Sequence, residues 1–263
     1  MNDATLKTKS AKKNQSVEKA FQIIEIMAQN RGAMRLQDIA ASLNLPASTV
    51  LRFLNTLMTF YYVNQDPETL KYSLSMKFCQ IGDLVSSQLS IRDIVRPYLI
   101  ALSDKCKESA CLAIEEKLEV VYIDVVDGPD NMLKAMQRIG RRAPLHSTGV
   151  GKLLLLNYDD EKLNTLIAQK GLCSLTHHTI TTKEKLVDEL KDIQSKGYAL
   201  DNEECEIGAR CLAAPVYDYT KKIVASISVS GPTSRMNEEK LPFIREQVNA
   251  TAEIISEKLG FVK

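Results

Sequence analysis

Four polar side chains within one short segment could hydrogen-bond to nucleic acid. Ser48, Arg52, Asn55 and Thr56 recur at helical spacing between residues 47 and 59, and this segment contains no acidic residue. An arginine guanidinium can donate two hydrogen bonds to guanine, while hydroxyl and amide groups can meet bases or phosphates in the major groove of DNA. The segment therefore predicts a helix whose outer face reads DNA.

The other side of this predicted helix is apolar and is expected to pack on a core. Its inward residues are Val50, Leu51, Leu54, Leu57 and Met58. A shorter amphipathic helix is predicted at residues 36–43 from the spacing of its apolar residues. Asn44-Leu45-Pro46 separates the two helices, because asparagine tolerates a left-handed turn and proline suits the first position of a helix.

A hairpin and a third helix complete the pattern. Residues 61–64 and 71–74 are predicted as two short strands joined by a loop. The third helix is predicted over residues 17–28. Its expected inward residues are Val17, Ala20, Phe21, Ile24, Met27 and Ala28. Together these elements predict a winged helix-turn-helix, and the alternative is a plain helical hairpin inside a larger fold.

The predicted DNA contacts come from both helices and the hairpin. They are Gln37, Ser48, Thr49, Arg52, Asn55, Thr56 and Lys71. The charge distribution favours this interpretation, since the net charge is +4 through Lys77 and −3 beyond it. A basic N-terminal part on a nearly neutral chain indicates a local phosphate-binding surface rather than general polyanion binding.

Two segments of the second half could bind a small molecule. In His146-Ser147-Thr148-Gly149-Val150-Gly151-Lys152, hydroxyls and glycines precede an apolar helix, whose first N–H groups could bind an anion. This segment lacks the spacing of a P-loop. Between Gly197 and Asp218, an acidic loop leads into an apolar strand and could place polar groups at the rim of a pocket.

The elements that position these segments form a mixed α/β pattern after a helical connection. Helices are predicted at residues 76–87, 91–106, 151–157, 161–169, 183–196 and 238–259. Strands are predicted at residues 110–115, 120–126, 211–217 and 223–230. The final helix is long enough to cover one face of a sheet, which gives an α/β sandwich.

Composition sets the outer limits. With 263 residues, 44% of them hydrophobic and 25% charged, the chain is long enough for two soluble domains. It has no apolar run that could span a membrane, and its lysine-rich start is unlike a secretory signal, so a cytoplasmic protein is expected. Six scattered cysteines without a CxxC pair indicate reduced thiols, and His146, His177 and His178 lack the spacings of a metal site.

Four motifs together resemble the IclR family of bacterial transcriptional regulators. The segment from Gly197 to Asp218, which contains Cys-Leu-Ala and ends in Tyr-Asp, is similar to the effector-domain signature of that family. The segments from Arg138 to Gly149, from Ile227 to Pro232 and from Leu45 to Arg52 also resemble the family. The resemblance extends over nearly the whole chain after about Ser16.

The resemblance implies an α+β protein with two domains. A winged helix-turn-helix DNA-binding domain at residues 16–76 would follow a flexible basic tail at residues 1–15. A linker helix at residues 77–90 would join it to a GAF-like α/β effector-binding domain at residues 91–263. The implied partners are double-stranded operator DNA, a small organic acid and further copies of the chain in a homodimer or homotetramer, with no cofactor.

The resemblance also implies a set of ligand contacts. Gly149 and Val150 would supply backbone donors to a carboxylate, and Ala135 and Ala143 would line an apolar wall. The polar end of the ligand would meet Asp201, Cys211, Ser228 and Ser230. The segment from Arg138 to Arg142 and the Asp-Asn-Glu-Glu loop look most like the branch that regulates pectin and sugar-acid breakdown. That likeness implies a repressor that responds to a 2-keto-3-deoxy sugar acid.

The residues also allow two alternatives. An enzyme would use Ser147 or Cys211 as nucleophile, His146 as base and Asp201 as orienting acid. The chain has no GxSxG motif, however, and an apolar strand around Cys211 should raise its thiol pKa. A redox switch between Cys205 and Cys211 would sense an oxidant in place of a metabolite.

Overall fold

The computed structural model describes residues 14–30, 32–88, 90–128 and 138–262. The chain divides into two compact units, Met1–Leu89 and Ser90–Lys263. Residues 1–13 of the predicted basic tail lie outside the described residues, and so does Ala135 of the predicted apolar wall. Each unit has a hydrophobic core of its own.

The first unit consists of four helices and a two-stranded hairpin among its described residues. In chain order they are α1 (Gln15–Gln29), α2 (Leu36–Leu43), α3 (Ala47–Thr59), β1 (Val63–Gln65), β2 (Tyr72–Leu74) and α4 (Lys77–Gln88). β1 and β2 pair antiparallel, and Met34 adds a bridge to Tyr72 just before α2. This order of helices and hairpin is that of the predicted winged helix-turn-helix.

The tight connection between α2 and α3 follows from Asn44-Leu45-Pro46. Asn44 is left-handed, with φ 50° and ψ 44°, and its N–H donates to the carbonyl groups of Ala40 and Ala41. Pro46 is the N-cap of α3. The buried residues of the two helices are Ile39, Ala40, Val50 and Leu54, and the other predicted inward residues are partly buried against them. The inward faces predicted for α2 and α3 are therefore confirmed.

The inward face predicted for α1 is wrong in part. Val17 and Phe21, expected in the core, are 50% and 60% exposed, and Ala28 is exposed as well. Ile23, which the prediction left out, is completely buried, and the helix packs through Ile23 and Met27. The physical reason is that α1 carries two neighbouring apolar stripes. Periodicity locates such stripes, but only tertiary packing decides which of them faces the core.

The second unit is an antiparallel sheet covered by helices on both faces. Its strands are β3 (Ser109–Glu116), β4 (Glu119–Val126), β5 (Arg142–Ala143), β6 (Ala199–Asn202), β7 (Ala209–Tyr217) and β8 (Ile223–Pro232). They lie in the order β5-β4-β3-β8-β7-β6. Its helices are α5 (Ile91–Cys106), α6 (Gly149–Leu154), α7 (Asp160–Lys170), α8 (Lys183–Lys196) and α9 (Leu241–Lys258), and a 3-10 turn at Leu155–Asn157 continues α6.

Strand alternation gives this sheet two buried faces. α5 and α9 cover the face that carries Leu112, Leu212 and Ile227. α6, α7 and α8 cover the opposite face, which carries Cys111 and Ala213. Polar groups on either face of the central strands therefore lie in the interior of the unit.

The second unit differs from the predicted elements in the bounds of several elements and in two strands that were not predicted. α6 begins at residue 149 rather than 151, because the Thr148 side chain caps it. α9 begins at residue 241 rather than 238, with a proline in its first turn. The sequence pattern predicted neither β5 nor β6, and β6 lies in the segment expected to be an acidic loop. Strands of two and four residues are too short to show a clear alternation.

Candidate DNA-binding face and ligand site

The predicted reading helix α3 presents its polar face to solvent. The side chains of Ser48, Arg52, Asn55 and Thr56 are all exposed. They line a shallow surface groove that also includes Leu51, Thr59 and Phe60. α3 contains no acidic residue, so a phosphate backbone that approaches it meets no like charge on this helix.

Contacts within α3 orient its hydroxyl groups. The Thr56 hydroxyl donates to the Arg52 carbonyl oxygen at 3.0 Å, and the Thr59 hydroxyl donates to the Asn55 carbonyl oxygen at 2.9 Å. Each hydroxyl therefore offers only its lone pairs to an outside partner, which suits a base amino group better than a phosphate. Arg52 forms no ion pair with another described residue, so its donors can turn towards DNA.

The remaining predicted DNA contacts lie around α3. Gln37 is exposed on α2, Thr49 is half-buried in the first turn of α3, and Lys71 is half-buried just before β2. Asp66 closes the hairpin loop by accepting the N–H of Thr69 at 2.7 Å. This backbone hydrogen bond, with a second one from the Thr69 hydroxyl, lowers the pKa of Asp66. The hairpin therefore holds Lys71 at the end of a closed loop, where its carbonyl oxygen accepts the N–H of Asp66 at 2.9 Å.

The predicted ligand contacts on the sheet lie side by side. Asp201 on β6 lies opposite Cys211 on β7, and Cys211 lies opposite Ser230 on β8. Ser228 shares the face of Ser230, two residues before it on the same strand, and lies opposite Ala213. All four polar side chains are buried. Antiparallel register thus joins residues that are far apart in sequence into one polar patch.

The start of α6 lies directly on this patch. A Cβ atom placed on Gly149 would be 3.4 Å from the Ala199 carbonyl oxygen and 3.4 Å from the Ala213 Cβ. The N–H groups of Gly149 and Val150 donate to no acceptor among the described residues, because the Thr148 hydroxyl caps the next N–H group instead. Two backbone donors are therefore available beside the polar patch.

The Asp201 carboxyl group closes its own turn. One oxygen accepts the N–H of Glu204 at 2.8 Å and that of Cys205 at 3.3 Å. Burial raises the pKa of Asp201, although these two hydrogen bonds and the charge of Lys152 act in the opposite direction. Asp201 is therefore protonated more easily than an aspartate in water.

Thiol groups surround the patch. The Cys111 sulfur lies 3.0 Å from the Ser228 hydroxyl oxygen, and the Cys205 thiol donates to the Ser147 carbonyl oxygen at 3.2 Å. Burial raises the pKa of Cys205 to about 12 and that of Cys211 to about 11. The raised pKa predicted for Cys211 is confirmed. Because the thiolate is the reactive form, these values disfavour a redox switch between Cys205 and Cys211.

Ala143, predicted for the apolar wall, is more distant from Asp201 in the strand order. It lies on β5, at the opposite edge of the sheet from β6, and pairs with Val120 on β4. It is half-buried and packs on the core beneath α6, α7 and α8. Ala143 and Asp201 therefore belong to the same covered face of the sheet, at its two ends.

Two further polar residues of this region, Tyr122 and Lys152, were not predicted from the sequence. Tyr122 on β4 is 5% exposed, and its pKa is raised by burial and then by Cys111, Cys211 and other groups of the patch. The alternation of β4 could have indicated its inward direction. Lys152 is completely buried on α6. No local pattern indicates this burial, because lysines on helices are normally solvated.

The residues of the enzyme alternative have separate partners. The His146 Nε2 atom lies 3.1 Å from the Cys173 carbonyl oxygen, and the Ser147 hydroxyl lies 3.3 Å from the Cys205 sulfur. Asp201 accepts backbone N–H groups, as described above. Among the described residues, hydrogen bonds therefore do not link these candidates into a series of nucleophile, base and orienting acid.

Two further findings concern metal ions and membranes. In the described part of the chain, no group of three or more His, Cys, Asp or Glu residues could hold a metal ion. None of the helices in that part is both long and apolar enough to span a membrane.

Two family models match the chain. The IclR helix-turn-helix domain matches residues 16–67, which include α1 from its second residue, α2, α3 and β1. The C-terminal domain of the bacterial transcriptional regulator IclR matches residues 84–257, which include the whole sheet.

Known proteins are similar to the chain over nearly its whole length. The HTH-type transcriptional regulator XynR of Escherichia coli (strain K12) is 34% identical over 247 residues, which are 94% of this chain and 98% of XynR. The HTH-type transcriptional regulator KdgR of the same strain is 34% identical over 246 residues, 94% of this chain and 93% of KdgR. The crystal structure of Thermotoga maritima IclR has a TM-score of 0.62 and 31% identity, and the match covers 94% of this chain and 99% of that chain.

Proposed function

Because the chain belongs to the IclR family of bacterial transcriptional regulators, we propose that it is a repressor that a small organic acid releases from its operator. Proteins of this family are DNA-binding regulators and not enzymes. A repressor needs only to occupy DNA that overlaps a promoter, whereas an activator also needs a surface for the polymerase. Repression is therefore the role that requires nothing beyond a DNA-reading helix.

The exposed, acid-free face of α3 supports operator recognition by this helix. Arg52 would donate to a guanine edge in the major groove, and Lys71 in the hairpin would contact a phosphate. The contact would be completed by Gln37, Ser48, Thr49, Asn55 and Thr56. Base contacts would provide specificity, and phosphate contacts would fix the register of the helix on the DNA.

Exposed apolar side chains on α1 and α4 support a homodimer. Val17 and Phe21, one turn apart on α1, are 50% and 60% exposed. Ile81 and Val85, one turn apart on α4, are 37% and 52% exposed. Single exposed apolar residues are ordinary, but such pairs on two helices of one small unit indicate an interaction surface. A second copy that covers these helices would place two α3 helices on two half-sites of a palindrome, and two such dimers would make a tetramer.

The main support for the ligand site is the alignment of Asp201, Cys211 and Ser230 across three adjacent strands. These three residues are called the row below. A ligand carboxylate would accept the N–H groups of Gly149 and Val150, which have no described acceptor. The polar end of the same molecule would bond to the carboxyl and hydroxyl groups of the row and to Ser228. A site with two backbone N–H donors and several polar side chains that can bond to hydroxyl groups suits a small hydroxylated acid.

The functional groups of a 2-keto-3-deoxy sugar acid are complementary to those of this patch. It carries a carboxylate and a keto group at one end and hydroxyl groups at the other. The backbone donors of α6 match the first end, and the serine hydroxyls of β8 match the second. The sequence resemblance to the branch that regulates pectin and sugar-acid breakdown supports the same ligand class.

Transcription in vitro from the DNA upstream of the protein's own gene tests this proposal. The protein should lower the transcript yield, and 2-keto-3-deoxygluconate should restore it. Asp201→Ala should still lower the yield but should not respond to the acid. A transcript yield that rises when the protein is added would contradict the repressor role, and a full response by Asp201→Ala would contradict the ligand site.

A further inference from the structure

Lys152 on α6 has no exposed side-chain surface. Its Nζ atom donates to the Glu204 carboxylate and the Leu200 carbonyl oxygen at 2.6 Å each, and to the Glu189 carboxylate at 2.7 Å. An ammonium group has three protons, so all its donors are used. Replacing a buried ion pair by apolar side chains is often neutral for stability, so stability alone does not account for this lysine.

Two of the three partners of Lys152 lie on either side of Asp201 in the chain. Leu200 precedes Asp201 on β6, and Glu204 donates its N–H to the Asp201 carboxylate at 2.8 Å. Lys152 is also only three residues from Gly149, where an added Cβ atom would be 3.5 Å from the Asp201 nitrogen. One ammonium group therefore joins the start of α6 to the turn that holds Asp201.

Two hydroxyl groups without charge bond to the backbone of the same turn, which follows Asp201 in the chain. The Thr179 hydroxyl donates to the Glu204 carbonyl oxygen at 2.6 Å, and the Thr176 hydroxyl donates to the Glu203 carbonyl oxygen at 2.7 Å. These bonds do not depend on the charge of Lys152. The turn can therefore keep its backbone path when that charge is removed, while the Asp201 carboxyl group loses the electrostatic effect of the nearby cation.

The charge of Lys152 also acts on Asp201 directly. Burial raises the pKa of Asp201, and Lys152 is among the groups that lower it. Burial works to lower the pKa of Lys152 as well, but Glu204 and Glu189 outweigh it and leave this pKa raised. The other ionisable groups around Asp201 are Glu204, Cys205, Cys211 and Tyr122. Lys152 is the cation among these groups.

We propose that Lys152 is a positioning residue for ligand recognition, which sets the place and charge of the Asp201 carboxyl group relative to the backbone donors of α6. The ligand does not touch Lys152, whose three donors are already used. This role rests on the proposed ligand site at Asp201. Loss of this role should change the affinity for the ligand and not that for DNA, because the described partners of Lys152 all belong to the second unit.

The test replaces Lys152 and Glu204 together by methionine in the full-length protein. The double variant removes the buried pair and fills its space with unbranched side chains, while Glu189, 30% exposed, can be solvated. Glu189→Gln is the matched control, since it removes one carboxylate from Lys152 at a position that does not adjoin Asp201. Lys152→Gln is the second variant, for use if thermal unfolding shows that the double variant does not fold.

Two quantities are measured for each protein. The first is the concentration of 2-keto-3-deoxygluconate that releases half of the bound operator DNA, read by fluorescence anisotropy. The second is the pH midpoint of Asp201 in the ligand-free protein, read from the NMR signal of a carbon-13-labelled carboxyl group. A purely structural role for Lys152 would alter the melting temperature and leave both quantities unchanged.

We expect the double variant to bind operator like the wild type. Release of half of the bound DNA should need about ten- to hundredfold more acid, by analogy with the loss of affinity when residues that orient metal ligands are removed. The Asp201 midpoint should rise, and Glu189→Gln should differ little from the wild type. An unchanged half-maximal concentration would overturn the positioning role. A wild-type protein that the acid does not release would instead refute the proposed ligand site, and the Asp201 midpoint would then decide whether Lys152 controls this carboxyl group.

Discussion

Asp201 lies directly opposite Cys211 in the antiparallel pair of β6 and β7, and both side chains are buried. Cys211 in turn lies opposite Ser230 on β8. A carboxyl, a thiol and a hydroxyl group are thereby lined up across three strands. A slip of one residue in either pairing would turn the side chains of one strand to the other face of the sheet. The proposed ligand site therefore depends on strand register more than on any local motif.

Two substitutions of Asp201 separate its roles. The amide oxygen of Asp201→Asn can still accept the N–H of Glu204, whereas Asp201→Ala has no acceptor. We expect both variants to keep operator affinity and to lose binding of 2-keto-3-deoxygluconate, measured by isothermal titration calorimetry. Only the alanine variant should also lower the melting temperature. Normal acid binding by Asp201→Ala would place the ligand elsewhere.

Arg52 and Lys71 should differ in how they affect DNA binding. Arg52→Ala should cost about 1–3 kcal/mol of operator affinity and relax specificity at one base pair, because it removes a guanine contact. Lys71→Ala should weaken binding to all sequences and reduce the salt dependence by about one phosphate contact. Anisotropy with operator and random DNA at several salt concentrations measures both effects. Equal losses on the two DNAs for Arg52→Ala would count against base reading.

Phe21 should contribute to the dimer interface. Phe21→Glu places a charge on the exposed apolar side of α1, so sedimentation should show a shift towards monomer and the operator affinity should fall. Gln22→Glu is the control, since it adds the same charge at the next exposed position of the helix. An unchanged assembly of Phe21→Glu would show that this side of α1 does not form the interface.

The cysteines should fall into two groups of reactivity. Cys79 and Cys173 are exposed, whereas burial raises the pKa of Cys205 to about 12 and that of Cys211 to about 11. Iodoacetamide at about pH 8 should therefore modify Cys79 and Cys173 first and, in the folded protein, Cys205 and Cys211 much more slowly. Mass spectrometry over a time course gives the order. Rapid modification of Cys205 and Cys211 in the folded protein would revive the redox alternative.

Glu204 should make stability depend on pH. Burial raises its pKa from 4.5 to about 7, so the folded protein holds a proton that the unfolded chain releases. The stability from this proton is present below pH 4.5 and is lost as the pH rises through about 7. Glu204→Gln mimics the protonated form, so its free energy of unfolding relative to the wild type should increase over this interval. Urea unfolding at several pH values measures the difference, and a constant difference would contradict the raised pKa.

The elements that sequence analysis predicted well have their determinants close together in the chain. The turn between α2 and α3 follows from three consecutive residues, of which Asn44 adopts the left-handed conformation. α8 has the predicted bounds because Thr182 caps its start and Gly197 caps its end. The family resemblance supplied Asp201, Cys211, Ser228 and Ser230 as a set, and their roles in ligand binding stay predictions.

The features that sequence analysis missed depend on distant residues. Lys152 is buried because its carboxylate partners arrive from positions 37 and 52 residues away. β6 is a strand because β7 pairs with it, not because its four residues alternate. The exposed side of α1 was expected in the core because periodicity locates an apolar stripe but does not show which stripe the tertiary structure buries.

Fluorescence anisotropy of labelled DNA from upstream of the protein's own gene tests the proposed regulation most directly. The wild-type protein is titrated with a panel of keto and sugar acids at one fixed salt concentration, since affinity for DNA depends steeply on salt. We predict tight, sequence-specific binding that a 2-keto-3-deoxy sugar acid releases. Specific binding that no acid changes would contradict the ligand site, and the absence of specific binding would contradict DNA reading by α3.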